Sequence, residues 1–225
     1  MQRAVIDSLN ITSQNIEGII INRQDDYTLE VVKSKSVFNP TRWVEAFGAK
    51  LTRNITRACI IHTITGLEIP LKTFSSAKGR DCIEFAGLYS YNERSNYLMA
   101  CYNELKSYLQ DGTISRIDIA VDFIDEIPKA VTRKILESRR IFRYKNTTYY
   151  KTAKEKRVNQ KIDIKSYDKS KKENIKNGEK LMRLEFCFKG AYLKGYKLCD
   201  LDRLLPKLKK SIKRATNLTV EIEGI

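Results

Sequence analysis

Short runs in which apolar and polar residues alternate recur along the chain, and they constrain its fold more than any other feature. In "RIDIAVDF" at 116–123, the Ile, Val and Phe side chains fall on one face of a strand, whereas Arg116, Asp118 and Asp122 fall on the other, because successive strand residues point to opposite sides. The same division occurs in "CIEFAGL" at 82–88, "KIDIKSYDK" at 161–169 and "MRLEFCFK" at 182–189. We therefore expect these four strands to share a sheet with one apolar and one polar face.

Alternation and turn residues extend this prediction to the rest of the chain. Strands are predicted at 18–22, 27–32, 57–63, 67–74, 82–88, 116–123, 147–152, 161–168 and 182–189. Helices are predicted at 41–51, 95–110, 128–138 and 199–215. The segment "VIDSLNITSQ" near the start is interpreted as an edge strand that completes the sheet. The mixed order predicts a single α+β domain over residues 1–225, with a mainly antiparallel central sheet, helices on one face and a polar catalytic face opposite.

The charge of the chain is strongly basic and unevenly distributed. There are 42 Lys and Arg residues against 27 Asp and Glu residues, a net charge of +15. The segment 129–180 alone has 18 Lys and Arg against 6 Asp and Glu, a net of +12. Such a surface indicates a polyanionic partner, with nucleic acid as the first candidate. The alternative is a solvated surface that only favours solubility.

The five cysteines and the lengths of the apolar runs indicate the compartment. The cysteines form no C-x-x-C pair, which is typical of reduced thiols in a cytoplasmic protein. No apolar run reaches the about 18 residues of a membrane-spanning helix, and the first residues lack the pattern of a secretory signal. We expect a cytoplasmic protein without a membrane partner.

Acidic side chains accumulate on the predicted polar face. Four carboxylates would meet there: Glu84, Asp118, Asp122 and Glu185. Crowded carboxylates repel one another, and they stay ionised only beside a shared cation or basic side chains such as Arg116 and Arg183. Oxygen ligands favour a hard ion, so the pattern predicts bound Mg²⁺ or Mn²⁺. The alternative is a solvated sheet face with ordinary ion pairs.

Tyr167 is the predicted nucleophile on this face. Lys165 and Lys169 lie two positions before and after it, and adjacent cations together with a metal would lower the pKa of its phenol from about 10. Tyr149 and Tyr150 are the rivals for this role. The alternative is that Tyr167 packs in the protein or stacks on a nucleic-acid base.

Several of these segments, taken in order, resemble the replication initiation factor family. The family includes rolling-circle initiators of small plasmids and relaxases of integrative conjugative elements. Its pattern R-x-D-x-A-x-D is matched at 116–122, I-R-x-Y-[DN]-K by "IKSYDK" at 164–169, and R-x-E at 183–185, with an aromatic-rich strand at 147–152 between the first two. The upstream "CIEF" is similar to the family's R-I-E-F segment, with Glu84 in the acid position.

The resemblance implies a DNA-nicking reaction. It implies that Tyr167 is the nicking residue and that the acids hold a divalent metal. Attack on a phosphodiester would leave a 5′-phosphotyrosyl link and a free 3′-hydroxyl, and the assisting residues would be Arg116, Arg183 and Lys169. The sequence contains no G-x-x-x-x-G-K-[ST] loop, in agreement with a reaction that exchanges one phosphodiester for another without ATP.

The expected partner is single-stranded or cruciform origin DNA, guided to the site by the basic segment 129–180. Aromatic side chains on that segment would stack on bases. The predicted DNA-binding residues are Tyr149, Tyr150, Lys151, Lys165, Lys171 and Lys172. Further expected partners are a host helicase and a host polymerase, and a homodimer is an option.

Two other functions are left open. A non-catalytic binder of single-stranded nucleic acid would need only the basic and aromatic surface, and a water-using, metal-dependent nuclease would form no covalent adduct with DNA. A structural or assembly protein is a third and weaker option. The two-histidine metal motif of HUH-class initiators is excluded because His62 is the only histidine. His62 lies in an apolar run and is interpreted as a core or rim residue.

Overall fold

The computed structural model describes residues 1–13, 16, 27–47, 55–74, 80–89, 93–152, 162–173, 175 and 180–223. Eleven strands lie within these residues. They are β1 (Gln2–Ser13), β2 (Tyr27–Lys33), β3 (Ile55–Thr63), β4 (Glu68–Phe74), β5 (Asp81–Ala86), β6 (Thr113–Ile124), β7 (Arg139–Tyr144), β8 (Thr147–Thr152), β9 (Ile162–Asp168), β10 (Leu181–Lys189) and β11 (Val220–Glu223). The predicted strand at 18–22 lies outside the described residues, and the other eight predicted strands are confirmed.

Five α-helices lie in the same part of the chain. They are α1 (Pro40–Phe47), α2 (Glu93–Leu105), α3 (Lys129–Leu136), α4 (Lys169–Glu173) and α5 (Leu201–Thr216). The predicted helices at 95–110, 128–138 and 199–215 are confirmed as α2, α3 and α5. The helix predicted at 41–51 begins as α1, and its last residues, 48–51, lie outside the described residues. No helix in the described ranges is long and apolar enough to cross a membrane.

All eleven strands form one sheet in the order β2-β3-β4-β5-β1-β6-β10-β9-β8-β7, and β11 pairs with β1. The β1–β11 pair is parallel, and the other pairs are antiparallel. The predicted α+β class with a mainly antiparallel sheet is therefore confirmed. The interpretation of the N-terminal segment as an edge strand was wrong, because β1 lies between β5 and β6 in the middle of the sheet.

The apolar face of the sheet forms the main core. The apolar side chains of the alternating strands lie there, among them Ile117, Ile119 and Phe186, which are fully buried. Helices α2, α3 and α5 contribute to the same core. In α5 the leucines and isoleucine that face it recur every three or four residues, as expected for a helix with one apolar stripe. This packing leaves the polar residues of the same strands on the opposite face.

Helices α1 and α4 do not belong to the main core. In α1, Trp43 packs with Val32, Ala58 and Ile60 in a separate apolar cluster. The next residue of β3, Ile61, belongs to the main core, so α1 covers the opposite face of the sheet. The short α4 continues directly from β9 and carries Lys172 over the ring of Tyr167, at 4.5 Å from the ring centroid.

Candidate active site

Three rows of side chains cross β9, β10 and β6 on the polar face. In register, Tyr167 pairs with Arg183 and Arg183 with Asp122, while Lys165 pairs with Glu185. One step further along, Cys187 pairs with Asp118. Because neighbouring strands lie about 4.8 Å apart, these rows bring together residues that are remote in the sequence. The convergence of β6, β9 and β10 that the alternation predicted is therefore present.

Glu185 connects the predicted nucleophile to the basic residues. The Tyr167 hydroxyl donates a hydrogen bond to Glu185 Oε2 at 3.1 Å, and Lys165 Nζ lies 2.6 Å from Glu185 Oε1. Burial acts to raise the pKa of Glu185, but the ion pair with Lys165 and the hydrogen bonds from Asp118 and Tyr167 together outweigh it, and the pKa is lowered. Glu185 is therefore an ionised, buried carboxylate in direct contact with the phenol.

Asp118 lies beside Glu185 and is bound by Arg116. The guanidinium donates from Nε to Asp118 Oδ1 at 2.9 Å and from Nη2 to Oδ2 at 2.5 Å. Burial nevertheless raises the pKa of Asp118, and the nearby charge of Glu185 raises it further. Asp118 consequently holds its proton more tightly than an exposed aspartate, while Glu185 carries the charge of the pair.

The prediction that neighbouring cations lower the pKa of Tyr167 was wrong. Tyr167 is only 5% exposed, and its burial raises the pKa of the phenol, with the charge of Glu185 adding to the rise. Arg183 acts in the opposite direction but does not compensate. In this arrangement the phenol is neutral and can lose its proton only to a group that contacts it.

A cavity of about 410 Å³ opens beside this pair. Its charged lining consists of four carboxylates and four basic groups, namely Asp7, Asp118, Glu173, Glu185, Arg116, Lys165, Lys169 and Lys172. Lys172 also lies 3.5 Å from the Tyr167 hydroxyl. Lys169, a predicted catalytic residue, is buried and forms an ion pair with Glu173. Lys165 and Lys172 thus place two cations beside the phenol, at 5.8 and 4.5 Å from its ring centroid, as an anionic substrate would require.

Arg183 is buried beneath this cavity and does not line it. The side chain is 0% exposed. Its Nε and Nη2 atoms each lie 2.6 Å from Asp122, and its Nη1 atom lies 2.6 Å from Asp7. A further hydrogen bond from Nη1 reaches the Tyr89 carbonyl. Arg183 and Asp122, which we predicted to act on the phosphate and on a metal, are therefore engaged with each other inside the protein.

Asp7 was not among the site residues predicted from the sequence. Asp7 lies on β1 at a shift of the register with β6, between the pairs Ile6–Ile119 and Ser8–Asp118. Such a bulge redirects a side chain from its alternating position. The only signal in the sequence was an acid inside the apolar run "AVIDSL". Without knowing that β1 is central, this signal could not be connected to Arg183.

Glu84 is not brought to the site. It lies on β5, and β1 separates β5 from β6. Its carboxylate pairs with Lys72 at 3.3 Å, and it lines a different cavity of about 570 Å³ below α1. The four strands share one sheet, as predicted, but the interposed β1 keeps Glu84 apart from the residues on β6, β9 and β10.

As the side chains lie, the four predicted ligands do not fit a metal ion. Within the described ranges, no group of three or more His, Cys, Asp or Glu side chains is arranged to hold one. Each predicted ligand instead contacts a basic partner: Glu84 contacts Lys72, Asp118 contacts Arg116, Asp122 contacts Arg183, and Glu185 contacts Lys165. The charge compensation that we expected from a cation or from basic side chains is supplied by the basic side chains.

Of the residues predicted to bind DNA, Tyr149 and Lys151 lie on the polar face of the sheet, whereas Tyr150 lies in the main core. Tyr149 pairs in register with Lys165 and lies on the polar face, near the exposed Lys151. Tyr150 points to the other side, is part of the main core and contacts Ser166 Oγ through its hydroxyl at 3.2 Å. Its predicted roles in stacking and as a rival nucleophile are therefore not supported by its position. Lys171 is exposed on α4.

His62 lies at the rim of the sheet, as interpreted from the sequence. It is half-buried, with Nε2 at 3.0 Å from Glu30 and Nδ1 at 3.6 Å from Glu68. Both glutamates also bind Arg42. This network lies on β2, β3, β4 and α1, away from Tyr167 and Glu185.

The comparisons with known proteins find similarity among solved structures. No protein-family model matches the chain, and no curated protein matches it. Among solved structures, the chain is similar to a rolling circle replication initiator protein from Geobacillus stearothermophilus, with 11% sequence identity and a TM-score of 0.49 over 93% of this chain and 85% of that chain. A similarity of this size transfers no residue role, so the function has to be argued from the side chains.

Proposed function

We propose that this protein nicks and rejoins DNA at the start of rolling-circle replication, with Tyr167 as the nucleophile. The observation that carries the proposal is the hydrogen bond of 3.1 Å from the Tyr167 hydroxyl to Glu185, beside a cavity lined by Arg116, Lys165 and Lys172. A nucleophile in contact with a base, next to groups that bind an oxyanion, is the arrangement that phosphodiester transfer requires.

In the proposed reaction Glu185 is the general base. It accepts the phenolic proton as the Tyr167 oxygen bonds to phosphorus, and the bond from phosphorus to the 3′-oxygen breaks. Glu185 then holds the phenolic proton, and the departing 3′-oxygen takes up a proton from water and becomes a free hydroxyl. Because the pKa of Glu185 is lowered and the pKa of Tyr167 is raised, proton transfer is unfavourable until the phosphate is bound. The reaction therefore depends on cations that stabilise the transferred charge.

The basic residues of the cavity would supply this stabilisation. Arg116 is partly exposed, and its planar guanidinium suits two phosphate oxygens. The pKa of Lys172 is lowered by burial, and a bound phosphate would offset that cost. Positioned cations of this kind act on the charge that develops in the transition state. Rejoining is the same reaction in reverse and requires no ATP.

The remaining partners and the metal stay predictions. Origin DNA, single-stranded or cruciform, is the proposed substrate. A host polymerase would extend the free 3′-hydroxyl, and a host helicase would unwind the duplex. Bound Mg²⁺ or Mn²⁺ would require Asp118 and Glu185 to exchange Arg116 and Lys165 for the ion. We therefore derive no step through a metal, and its need is decided by comparing reactions with Mn²⁺ and with a chelator.

A covalent adduct tests the proposal. We expect wild-type protein incubated with a library of single-stranded oligonucleotides to form protein–DNA adducts that survive denaturing electrophoresis. Tyr167→Phe should form none, whereas Tyr149→Phe, which changes an exposed-face tyrosine nearby, should retain them. Adduct formation by Tyr167→Phe, or cleavage by it without an adduct, would assign the reaction to another tyrosine or to water.

The non-catalytic alternative has one observation in its favour. The Tyr167 side chain is almost fully buried and its pKa is raised, both of which suit a structural hydrogen bond. In that case the basic cavity binds a phosphate without cutting the chain. Binding of oligonucleotides without adducts under any metal condition would support this alternative over nicking.

A further inference from the structure

The hairpin of β7 and β8, residues 139–152, carries large aromatic side chains in solvent. Phe142 is 48% exposed and Tyr144 is 58% exposed. Both lie on β7, the edge strand of the sheet, and a two-residue turn joins β7 to β8. Tyr149 lies directly across from Phe142, with 6.3 Å between the ring centroids. Neither Phe142 nor Tyr144 was among the residues predicted from the sequence to bind DNA.

The same hairpin is purely basic. Residues 139–152 contain five Lys and Arg residues and no Asp or Glu. Lys151 Nζ lies 3.9 Å from the centroid of the Phe142 ring, and Lys145 Nζ lies 5.8 Å from that of Tyr144. Aromatic faces and cationic groups are therefore offered side by side. This combination suits a ligand that has flat apolar rings on an anionic backbone.

The register of the strands connects these rings to the candidate active site. One row runs from Phe142 through Tyr149 and Lys165 to Glu185. The next row runs from Tyr144 through Thr147 to Tyr167. All members of a row lie on the same face of the sheet. With strands about 4.8 Å apart, Tyr144 is two strands, or about 10 Å, from Tyr167.

A third cavity lies on the polar face between the β7–β8 hairpin and the candidate active site. It measures about 450 Å³ and is lined by Tyr149, Lys151 and Lys189 among others. Arg116 and Lys165 line both this cavity and the one beside Glu185. The two cavities thus adjoin at two cations, and together they extend across the polar face to Tyr149 and Lys151 on β8, the strand next to the edge strand β7.

We propose that the exposed rings of Phe142 and Tyr144 stack on bases of single-stranded DNA and hold the strand whose phosphate lies at Arg116 and Lys165. This inference rests on the proposed function and specifies the path of the substrate. Stacking of a protein ring needs an unpaired base, because in a duplex the face of each base is covered by the adjacent base pairs. The hairpin therefore selects single strands, whereas the basic groups alone would bind any polyanion.

The main competing occupant is the edge of a second copy of this chain. Edge strands pair readily with one another when they are flat and uncharged. Here two copies of β7 would bring the basic residues of both hairpins together without a compensating acid, and this repulsion opposes association. The charge of the hairpin therefore favours a nucleic acid over a second copy.

Binding measurements on the full chain test this inference separately from catalysis. Every variant carries Tyr167→Phe, so that no adduct forms, and the probe is a short fluorescent oligo(dT) or the matching duplex. We expect Phe142→Ala and Tyr144→Ala each to raise the Kd for oligo(dT) by roughly tenfold, because a base–aromatic stack is lost, with little change for the duplex. Phe38→Ala removes a similarly exposed ring (50%) next to β2, at the other end of the sheet from β7. This variant should leave the Kd values for oligo(dT) and for the duplex unchanged.

The salt dependence separates stacking from charge. Phe142→Ala should leave the slope of log K against log[salt] unchanged, whereas Arg140→Ala, on the same strand and face, should reduce it by about 0.7. Equal Kd values for the parent and both aromatic variants would overturn the inference, as would an equal loss for oligo(dT) and duplex. A dimer that dissociates on Phe142→Ala while oligo(dT) binding is unchanged would assign the surface to a second copy. These results do not depend on whether Tyr167 forms an adduct.

Discussion

At the scale of single residues, Glu185 is the side chain on which the proposed chemistry depends most. Its carboxylate contacts Tyr167 and Lys165, and it interacts with the neighbouring carboxyl group of Asp118. We expect Glu185→Gln to lower the rate of adduct formation by about 10²- to 10⁴-fold, because the amide cannot accept the phenolic proton as a base. Time courses of adduct formation measure this rate, and thermal unfolding of the variant shows whether the fold is retained.

Glu84→Gln is the matched control for this variant. Glu84 was predicted as a metal ligand together with Glu185, but it pairs with Lys72 in a separate cavity. We therefore expect Glu84→Gln to form adducts at a rate close to that of wild type. A loss as large as that of Glu185→Gln would mean that the two glutamates act together, and that β5 contributes to the site in a way this arrangement does not explain.

The buried phenol of Tyr167 also predicts how stability depends on pH. An unfolded tyrosine ionises near pH 10, whereas burial raises the pKa of folded Tyr167 above that value. The stability from this group is therefore present below about pH 10 and is lost as the pH rises towards the folded pKa. Above about pH 10, wild type should lose about 1.4 kcal/mol more free energy of unfolding per pH unit than Tyr167→Phe. Urea unfolding at several alkaline pH values measures this difference, and parallel curves would show that the phenol is exposed.

At the scale of secondary-structure elements, β1 determines which strands can share the site. It pairs with β5, β6 and β11, so it separates Glu84 on β5 from Asp118 on β6. In the sequence, Asp7, Ser8 and Asn10 interrupt the apolar run of β1. Those polar residues lie at register shifts and on the polar face, where a central strand also tolerates them. Pairing of distant strands is a tertiary property, and no local pattern specifies it.

A substitution in β1 tests its central position. Leu9 is fully buried and lies between Phe85 on β5 and Ile117 on β6. We expect Leu9→Ala to lower the free energy of unfolding by about 2–5 kcal/mol, because it leaves a cavity in the main core. Ile64→Ala, at an exposed position after β3, should change it by no more than about 0.5 kcal/mol. Equal effects of the two substitutions in urea unfolding would contradict a central β1.

At the scale of the whole molecule, the alternation of residues was the most informative part of the sequence. It correctly divided β6, β9 and β10 into an apolar face, with Ile117 and Phe186 in the core, and a polar face with Tyr167 and Glu185. It could not show which cation each acid contacts. Arg183 binds Asp122 and is fully buried, and this burial depends on the packing of the surrounding residues, which a strand pattern does not specify. It also missed Phe142 and Tyr144, whose exposure follows from β7 being an edge strand.

The central claim is that Tyr167 attacks DNA, and mapping the covalent adduct tests it most directly. Trypsin cleavage after each lysine places Tyr167 alone in the peptide Ser166–Lys169 and places Tyr149 and Tyr150 together in Asn146–Lys151. Mass spectrometry of the nuclease-trimmed adduct should locate the remaining nucleotide on Ser166–Lys169. A nucleotide on Asn146–Lys151, or complete cleavage of the substrate with no modified peptide, would contradict the claim.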